Sequence, residues 1–406
     1  MAVLVQKYGG TSVGDPDRIR AVADHVARVR RRGNDVTVVV SAMGKETDEL
    51  LRLAEQVSSS QPGREMDMLI TAGERKAVAL MCMALVDIGV PARSFTGSQA
   101  GFLTDTNHRN AKILEITPYR IIETLEAGIV PVVAGAQGVS TDRDVTFLGR
   151  GGTDTTAVAL SKALGADICE LYTDVSGVFS ADPRLVPSAQ KMPSITFDEL
   201  LEMTATGCPK PAMRSVEVAH SHGVRLHIRS AFTWERGTYV VEQGEVMEQP
   251  IVRAVTHDVS ESKVTVANVP DEPGVSATLF RALATANVDV DMIVQNVSED
   301  GRTDISFTVP TENLELASSI LEGGIVSGLG AKSFSTDDSI GRVSVIGAGM
   351  KSNPGVAATM FETLAACGIN IEMISTSAIR ISCVVSSVEV EEAVVALHTA
   401  FGLDAE

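Results

Sequence analysis

The chain has 406 residues, 44% of them hydrophobic and 21% charged, with a formal net charge of −18 at pH 7. That length exceeds what one core usually organises, so two or three domains are expected. The acidity argues against nucleic acid or an anionic membrane as a partner. From Lys263 onward 7 Lys+Arg stand against 19 Asp+Glu, a balance of −12 over 144 residues, which leaves −6 for the first 262. The N-terminal part is therefore the better place for anionic substrates. The five cysteines (Cys82, Cys169, Cys208, Cys367, Cys383) are scattered without metal spacing and read as reduced thiols. No cleavable leader pattern opens the chain and no apolar run reaches membrane-spanning length, so a cytoplasmic location is expected.

The first elements alternate. "AVLVQ" predicts a strand, residues 18–30 a helix, and "DVTVVVSAM" a second strand; "GIVPVVAGAQGV", the helix "DTTAVALSKALGA" and the strand "DICELYTDV" follow. Such alternation implies βαβ units and a parallel sheet covered on both faces. Ligands then belong at the carboxyl ends of the strands, in the loops after Gln6, Val40, Ala134 and Tyr172. The turn-rich, charged stretch 233–262 is the place for a domain junction. Beyond it, "PGVSATLFRALATANVDVDMI" (273–293) and "PGVAATMFETLAACGINIEMI" (354–374) match at 10 of 21 positions with a constant offset of 81. Each copy follows one strand pattern and precedes another. Two readings stand for the repeat: two small α+β units that simply pack together, or a paired sensor holding a small molecule at their interface.

Four stretches can carry chemistry. In "KYGGTSVG" (7–14) a lysine precedes two glycines at a strand end, where backbone amides and a cation attract anions; the alternative is a tight turn with a structural lysine. The order is not that of a P-loop, and no dinucleotide fingerprint occurs elsewhere. "LGRGGTDTT" (148–156) supplies a second glycine-rich helix start, where Arg150 can grip a carboxylate or phosphate through two bonds and Asp154 can be a helix cap. "YTDVSGVFSADPR" (172–184) places Asp174, Asp182 and Arg184 in turns after a strand. "TAGERKAV" (71–78) puts Glu74 at a helix start, where a carboxylate commonly serves the dipole. Together they suit phosphoryl transfer, which needs positioning and cations rather than covalent participation. His108 is isolated and reads as a loop or supporting residue.

The ordered set "KYGGTS", "VSAMGKETDEL", "TAGERKAVAL", "SFTGSQAGFLT", "LGRGGTDTTAVALSKAL" and "YTDVSGVFSADPR" resembles aspartate kinase of the amino-acid kinase superfamily, and 263–403 resembles its tandem ACT regulatory domains. The resemblance covers essentially the whole chain. It implies an α/β amino-acid kinase fold, a mostly parallel sheet with helices on both faces, followed by two α+β ACT domains of ferredoxin-like type. The implied domains are 1–245 catalytic, 246–262 linker, 263–335 first ACT and 336–406 second ACT. The implied reaction is phosphorylation of the L-aspartate side chain by ATP with Mg²⁺, at the head of lysine, threonine and methionine biosynthesis. By resemblance, Lys7 stabilises the transferring phosphoryl group, with Tyr8, Gly9 and Gly10 beside it. Ser41, Thr47, Gly151, Gly152 and Thr153 line the aspartate region; Glu74 takes the substrate ammonium, Arg150 its carboxylate, and Asp154 orients the lysine and arginine. Thr173, Asp174, Phe179, Ser180, Asp182, Arg184 and Lys210 hold ATP. No metal is held by protein ligands alone. The acceptor is an ionised carboxylate, so no general base is required.

Departures from the family pattern accompany this. Pro209 stands where a lysine is usual, with Lys210 one residue later between two prolines; Ala136 replaces a usual Phe; Lys76 replaces an apolar residue; Ala378 replaces a carboxylate near the effector region. They suggest altered feedback and a specialised paralogue, or a kinase of a related acidic amino acid. A catalytically silent sensor is a third alternative. Asp271, Gly274, Asp291 and Gln295 are the implied positions for lysine or threonine effectors. The resemblance also implies a homodimer or an α2β2 tetramer joined through the ACT domains, and Met247 lies where a shorter regulatory chain would start.

Overall fold

The computed structural model describes residues 2–242, 251–296, 301–350, 353 and 355–404. Two compact units form: Met1–Val178, Lys191–Thr204 and Pro209–Val246 in the first, Phe179–Gln190, Ala205–Cys208 and Met247–Glu406 in the second. The division is thus not one cut near residue 245. Residues 179–190 join the second unit because Phe179, Ala181, Leu185, Val186 and Ala189 put their apolar side chains into its core with Val343, Val345, Met360 and Leu397.

The first unit is built on an eight-stranded sheet. Its spatial order is Ser194–Thr196, Thr238–Val241, Leu226–Ser230, Ile168–Thr173, Val3–Tyr8, Asp35–Val40, Val130–Ala134 and Ala92–Phe95. Every pairing is parallel except Leu226–Ser230 with Thr238–Val241. Val36, Val38, Val39 and Val40 are all buried, as a strand covered on both faces requires. Register sets Tyr8 opposite both Val40 and Tyr172, and Val40 opposite Ala134. The loops that follow these strands therefore leave the same edge of the sheet. The helix Pro16–Arg31 starts on Asp15, whose carboxylate accepts the Arg18 N–H at 2.8 Å, with proline in its first turn.

The stretch "GIVPVVAGAQGV" is two strands rather than one. Val130–Ala134 stays in the large sheet; Gln137–Ser140 joins a four-stranded sheet with Phe102–Thr104, Ile113–Ile116 and Val145–Phe147. The break falls at Gly135–Ala136. A side chain on Gly135 would lie 2.4 Å from Thr153, and Ala136 has φ +57°, a left-handed conformation uncommon for alanine.

The second unit holds two four-stranded antiparallel sheets. Each repeat supplies a strand, helix, strand and strand: Glu261–Pro270, Val275–Thr285, Ile293–Gln295 and Arg302–Pro310, then Ile340–Ile346, Gly355–Ala366, Met373–Thr376 and Arg380–Ser386. The fourth strand of each sheet comes from outside the repeat. Ala254–Asp258, from the expected linker, pairs with Ile340–Ile346, and Ser333–Asp337 pairs with Glu261–Pro270. Met247 lies outside the described residues. Among the described residues no helix is long and apolar enough to cross a membrane.

Candidate active site

Alternation along Val3–Tyr8 sends Lys7 and Tyr8 to opposite faces of the sheet. The Lys7 ammonium lies 2.6 Å from Asp154 Oδ1, and both side chains are 10% exposed. Asp154 sits in the first turn of the helix Gly152–Leu164, and its Oδ2 accepts the Ala212 N–H at 3.1 Å. Gly151 precedes that helix with φ +74°, and a Cβ there would fall 2.3 Å from the Ala212 Cβ, so the junction closes only around glycine. Ser41 Oγ is 3.2 Å from Thr153 Oγ1. Gly10 packs on the same loop: a Cβ would come within 2.9 Å of the Ala42 and Gly44 carbonyl oxygens. Lys7, Gly10, Ser41, Thr153 and Asp154 thus form one cradle. The glycine pair does not open the long helix directly. It leads into a 3-10 turn, Gly10–Val13, because Asp15 and Pro16 set the helix start.

Glu74 lies in the first turn of the helix Ala72–Asp87 and is 2% exposed. Its Oε1 accepts the Ala42 N–H at 3.4 Å, whereas its buried Oε2 has no hydrogen-bond partner. Burial pushes the carboxyl up to about 7. A group in that state is primed to ionise when a cation arrives. Thr47, half-buried, is in the helix Glu46–Val57. Arg150 is exposed at the second glycine junction.

At the end of Ile168–Thr173, the Thr173 hydroxyl donates to Asp174 at 3.2 Å, and Lys210 Nζ stands 2.5 Å from the same carboxylate. Burial alone would raise Asp174, but the Lys210 bond and charge outweigh it and hold the carboxyl below its usual range. The two prolines therefore leave Lys210 pointing at the strand end. Phe179, Ser180, Asp182 and Arg184 belong instead to the second unit. Ser180 is buried, its hydroxyl taken by His398 Nε2 and the Gln190 N–H, each at 2.8 Å. Arg184 pairs with Asp182 through two nitrogens.

The Tyr8 side chain is core, not lining. It is fully buried, stacks on Tyr172 with centroids 4.8 Å apart, and donates to Gln6 Oε1 at 3.0 Å. It belongs to a polar network that motif spacing does not reveal. Glu170 accepts from Gln6 at 2.7 Å, Arg229 at 2.8 Å and Tyr172 at 3.1 Å. His25 bonds the Tyr172 hydroxyl at 2.9 Å and stacks on Trp234. Burial would raise Glu170, but hydrogen bonds from His227 and Gln6 and the charge of Arg229 bring it to about 2. Asp67 likewise stands in no recognisable motif. It is fully buried and gathers His108 Nδ1 at 2.7 Å with the N–H groups of Arg109 and Phe147, so His108 is a loop anchor.

In the second unit Gly274 caps the helix Val275–Thr285 with φ +98°, and Gln295 Oε1 accepts the Ser276 hydroxyl at 3.0 Å. Asp271 is exposed nearby in sequence. Asp291 is committed elsewhere: it pairs with the buried Arg342, which also meets Glu261 at 3.0 Å and Asp258 at 3.6 Å.

The amino acid kinase family matches residues 2–230, and an ACT domain matches residues 263–323 and 343–401. The aspartokinase of Mycobacterium tuberculosis is 54% identical over 99% of this chain and 97% of that protein. A crystal structure of aspartate kinase from Synechocystis, 42% identical, covers 100% of this chain and 70% of that one with a TM-score of 0.56. E. coli aspartokinase III, solved with aspartate and ADP, is 23% identical and shares the fold, with a TM-score of 0.84 over 98% of this chain and 99% of that one. A chain with this cradle, this paired regulatory unit and relatives this close along its whole length belongs to the amino acid kinase family, among the aspartokinases.

Proposed function

We propose that the protein transfers the γ-phosphoryl group of ATP to the side-chain carboxylate of L-aspartate, giving 4-phospho-L-aspartate. The observation that carries this reading is the cradle in which Asp154 holds the Lys7 ammonium at 2.6 Å beside the glycine loop. A buried, fixed cation there stabilises charge spread over the transferring phosphoryl oxygens without reorganising during the reaction. Glu74 receives the ammonium of aspartate, and Arg150 its α-carboxylate. Ser41, Thr47 and Thr153 line the acceptor, with Gly151 and Gly152 permitting close approach. On the nucleotide side Thr173, Asp174 and Lys210 are the supporting set. Phe179, Ser180, Asp182 and Arg184 act by anchoring their segment.

Among the described residues no three His, Cys, Asp or Glu side chains converge as a metal cage, and Asp154 and Asp174 each already hold a lysine. The donor set fits Mg²⁺ carried on the nucleotide's phosphates, where it neutralises charge. Lysine or threonine binding near Asp271, Gly274 and Gln295, assembly as a homodimer or α2β2 tetramer, and a cytoplasmic location complete the reading. The deciding assay traps acyl phosphate with hydroxylamine, offering aspartate, glutamate and related acids with ATP and Mg²⁺, with and without lysine and threonine. Turnover with aspartate supports the proposal; a folded protein that consumes no nucleotide with any acceptor overturns it. A related acidic amino acid is the second reading, favoured by the small side chain of Ala136 beside Gly152, and the same assay separates the two.

A further inference from the structure

Glu46 begins the helix Glu46–Val57, and its Oε1 lies 2.6 Å from Lys76 Nζ. Its Oε2 is buried and has no hydrogen-bond partner, like Oε2 of Glu74. Small residues bring the two carboxyl groups together. The Ala42 N–H is 3.4 Å from Glu74 Oε1, and a Cβ on Gly73 would lie 2.8 Å from the Ala42 Cβ and 3.6 Å from Glu46 Cδ. The Glu46 charge is felt at Glu74, adding to the rise that burial causes, while Arg75 opposes it. Arg75 itself is turned to the Thr71 and Met68 carbonyls. The Lys76–Glu46 contact is thus the one ion pair that either carboxylate makes among the described residues. Two buried, unpartnered acceptor oxygens are costly. A compact ammonium carries three donors, enough to serve two such acceptors.

We propose that Glu46, held by Lys76, is a second anchor for the substrate's α-ammonium and makes the site selective for dicarboxylates that carry a free primary amine. This rests on the reading in which Glu74 receives that ammonium. Glu46 is a positioning and specificity residue: it steadies the amine end of the acceptor, so its loss falls on KM rather than kcat. Lys76 keeps its carboxylate turned inward, a modest contribution because its own side chain is half exposed.

The test uses the full chain with ATP and Mg²⁺, measuring KM for aspartate and the inhibition constant of succinate, the same dicarboxylate without an amine. Glu46→Gln is expected to raise KM for aspartate about tenfold while succinate binds equally well or better, so the preference falls about tenfold. The pH midpoint of the aspartate KM moves to lower pH, because Glu46 no longer adds to the charge around Glu74. Lys76→Met gives a shift of about two- to threefold that Lys76→Arg restores. Glu74→Gln is run in parallel. If Glu46→Gln changes neither the preference nor the pH midpoint while Glu74→Gln loses aspartate, the second anchor is overturned and the Glu74 reading stands. If Glu74→Gln keeps the preference as well, the reading of the amine end itself fails. Should Glu46→Gln not fold, Glu46→Asp and Lys76→Met decide by the same ratio, an unchanged preference in both overturning the proposal.

Discussion

Asp154 meets Lys7 at 2.6 Å, and the two come from the two separate glycine-rich junctions of the chain. The pair fixes the direction of a buried ammonium that a flexible lysine would otherwise not hold. Lys7→Ala is expected to lower kcat by on the order of 10²–10³, the scale for removing one preorganised charge from a transfer site. Asp154→Asn leaves Lys7 without its anion and lowers kcat by about tenfold or more. Steady-state rates check both, and a Lys7→Ala variant with unchanged turnover would remove the lysine from the mechanism.

Glu74 imposes a pH dependence on substrate binding. With its carboxyl pushed up to about 7 by burial, it is neutral below that pH and charged above it. A cationic amine binds the charged form, so KM for aspartate is expected to rise by up to about tenfold per unit as pH falls below 7 and to level off above it. Glu74→Gln should raise KM and flatten the profile between pH 6 and 8. A wild-type KM that does not vary over that range contradicts the assignment.

Lys210 lies at the strand end with Asp174, and both side chains are about two-fifths exposed. Such a pair adds little to stability. Lys210→Ala should leave the melting temperature within about a degree or two, yet raise KM for ATP by roughly three- to tenfold while KM for aspartate stays within about twofold. An unaltered ATP dependence would show that the lysine serves only Asp174.

The Glu170 network should make the first unit acid-sensitive. Glu170 titrates at about 2 in the fold against an ordinary value of 4.5, so its stabilisation is complete above pH 4.5 and is lost as pH falls toward 2. His25, lowered to about 4 mainly by burial, is neutral in the fold and favours unfolding as pH drops from 6.5 through 4. Thermal melts from pH 7 to pH 3 should show a falling midpoint, steeper in wild type than in Glu170→Gln, which is already less stable at neutral pH. Parallel slopes in the two proteins would contradict this.

Much of the catalytic unit was legible in the sequence because the signals were local. Alternating apolar runs mark the strands, and glycines sit where a Cβ cannot fit, as at Gly10 and Gly151. Lys7, Glu74 and Asp154 stand in short local motifs that mark them as candidates. What stayed hidden depends on distant contacts. Nothing near Tyr8 announces that Tyr172 and Gln6 will enclose it, and nothing near Ser180 announces His398. Asp67 and Glu46 are ordinary acidic residues on helices until His108 and Lys76 reach them. The break at Ala136 is not legible because alanine gives no warning of a positive φ.

The edge strand Ala254–Asp258 of the second unit has a consequence for its modularity. Because Ala254–Asp258, which precedes the earlier repeat, completes the sheet of the later one, the later copy is not a detachable cassette, whereas the earlier sheet closes on the strand Ser333–Asp337 that directly follows it. A fragment beginning at residue 336 would expose an unfinished ladder, and a fragment ending there would strand a ribbon without its mate. Recombination, truncation or grafting can move the later repeat only together with the strand at 254–258 and the segment 179–190 that fills its core.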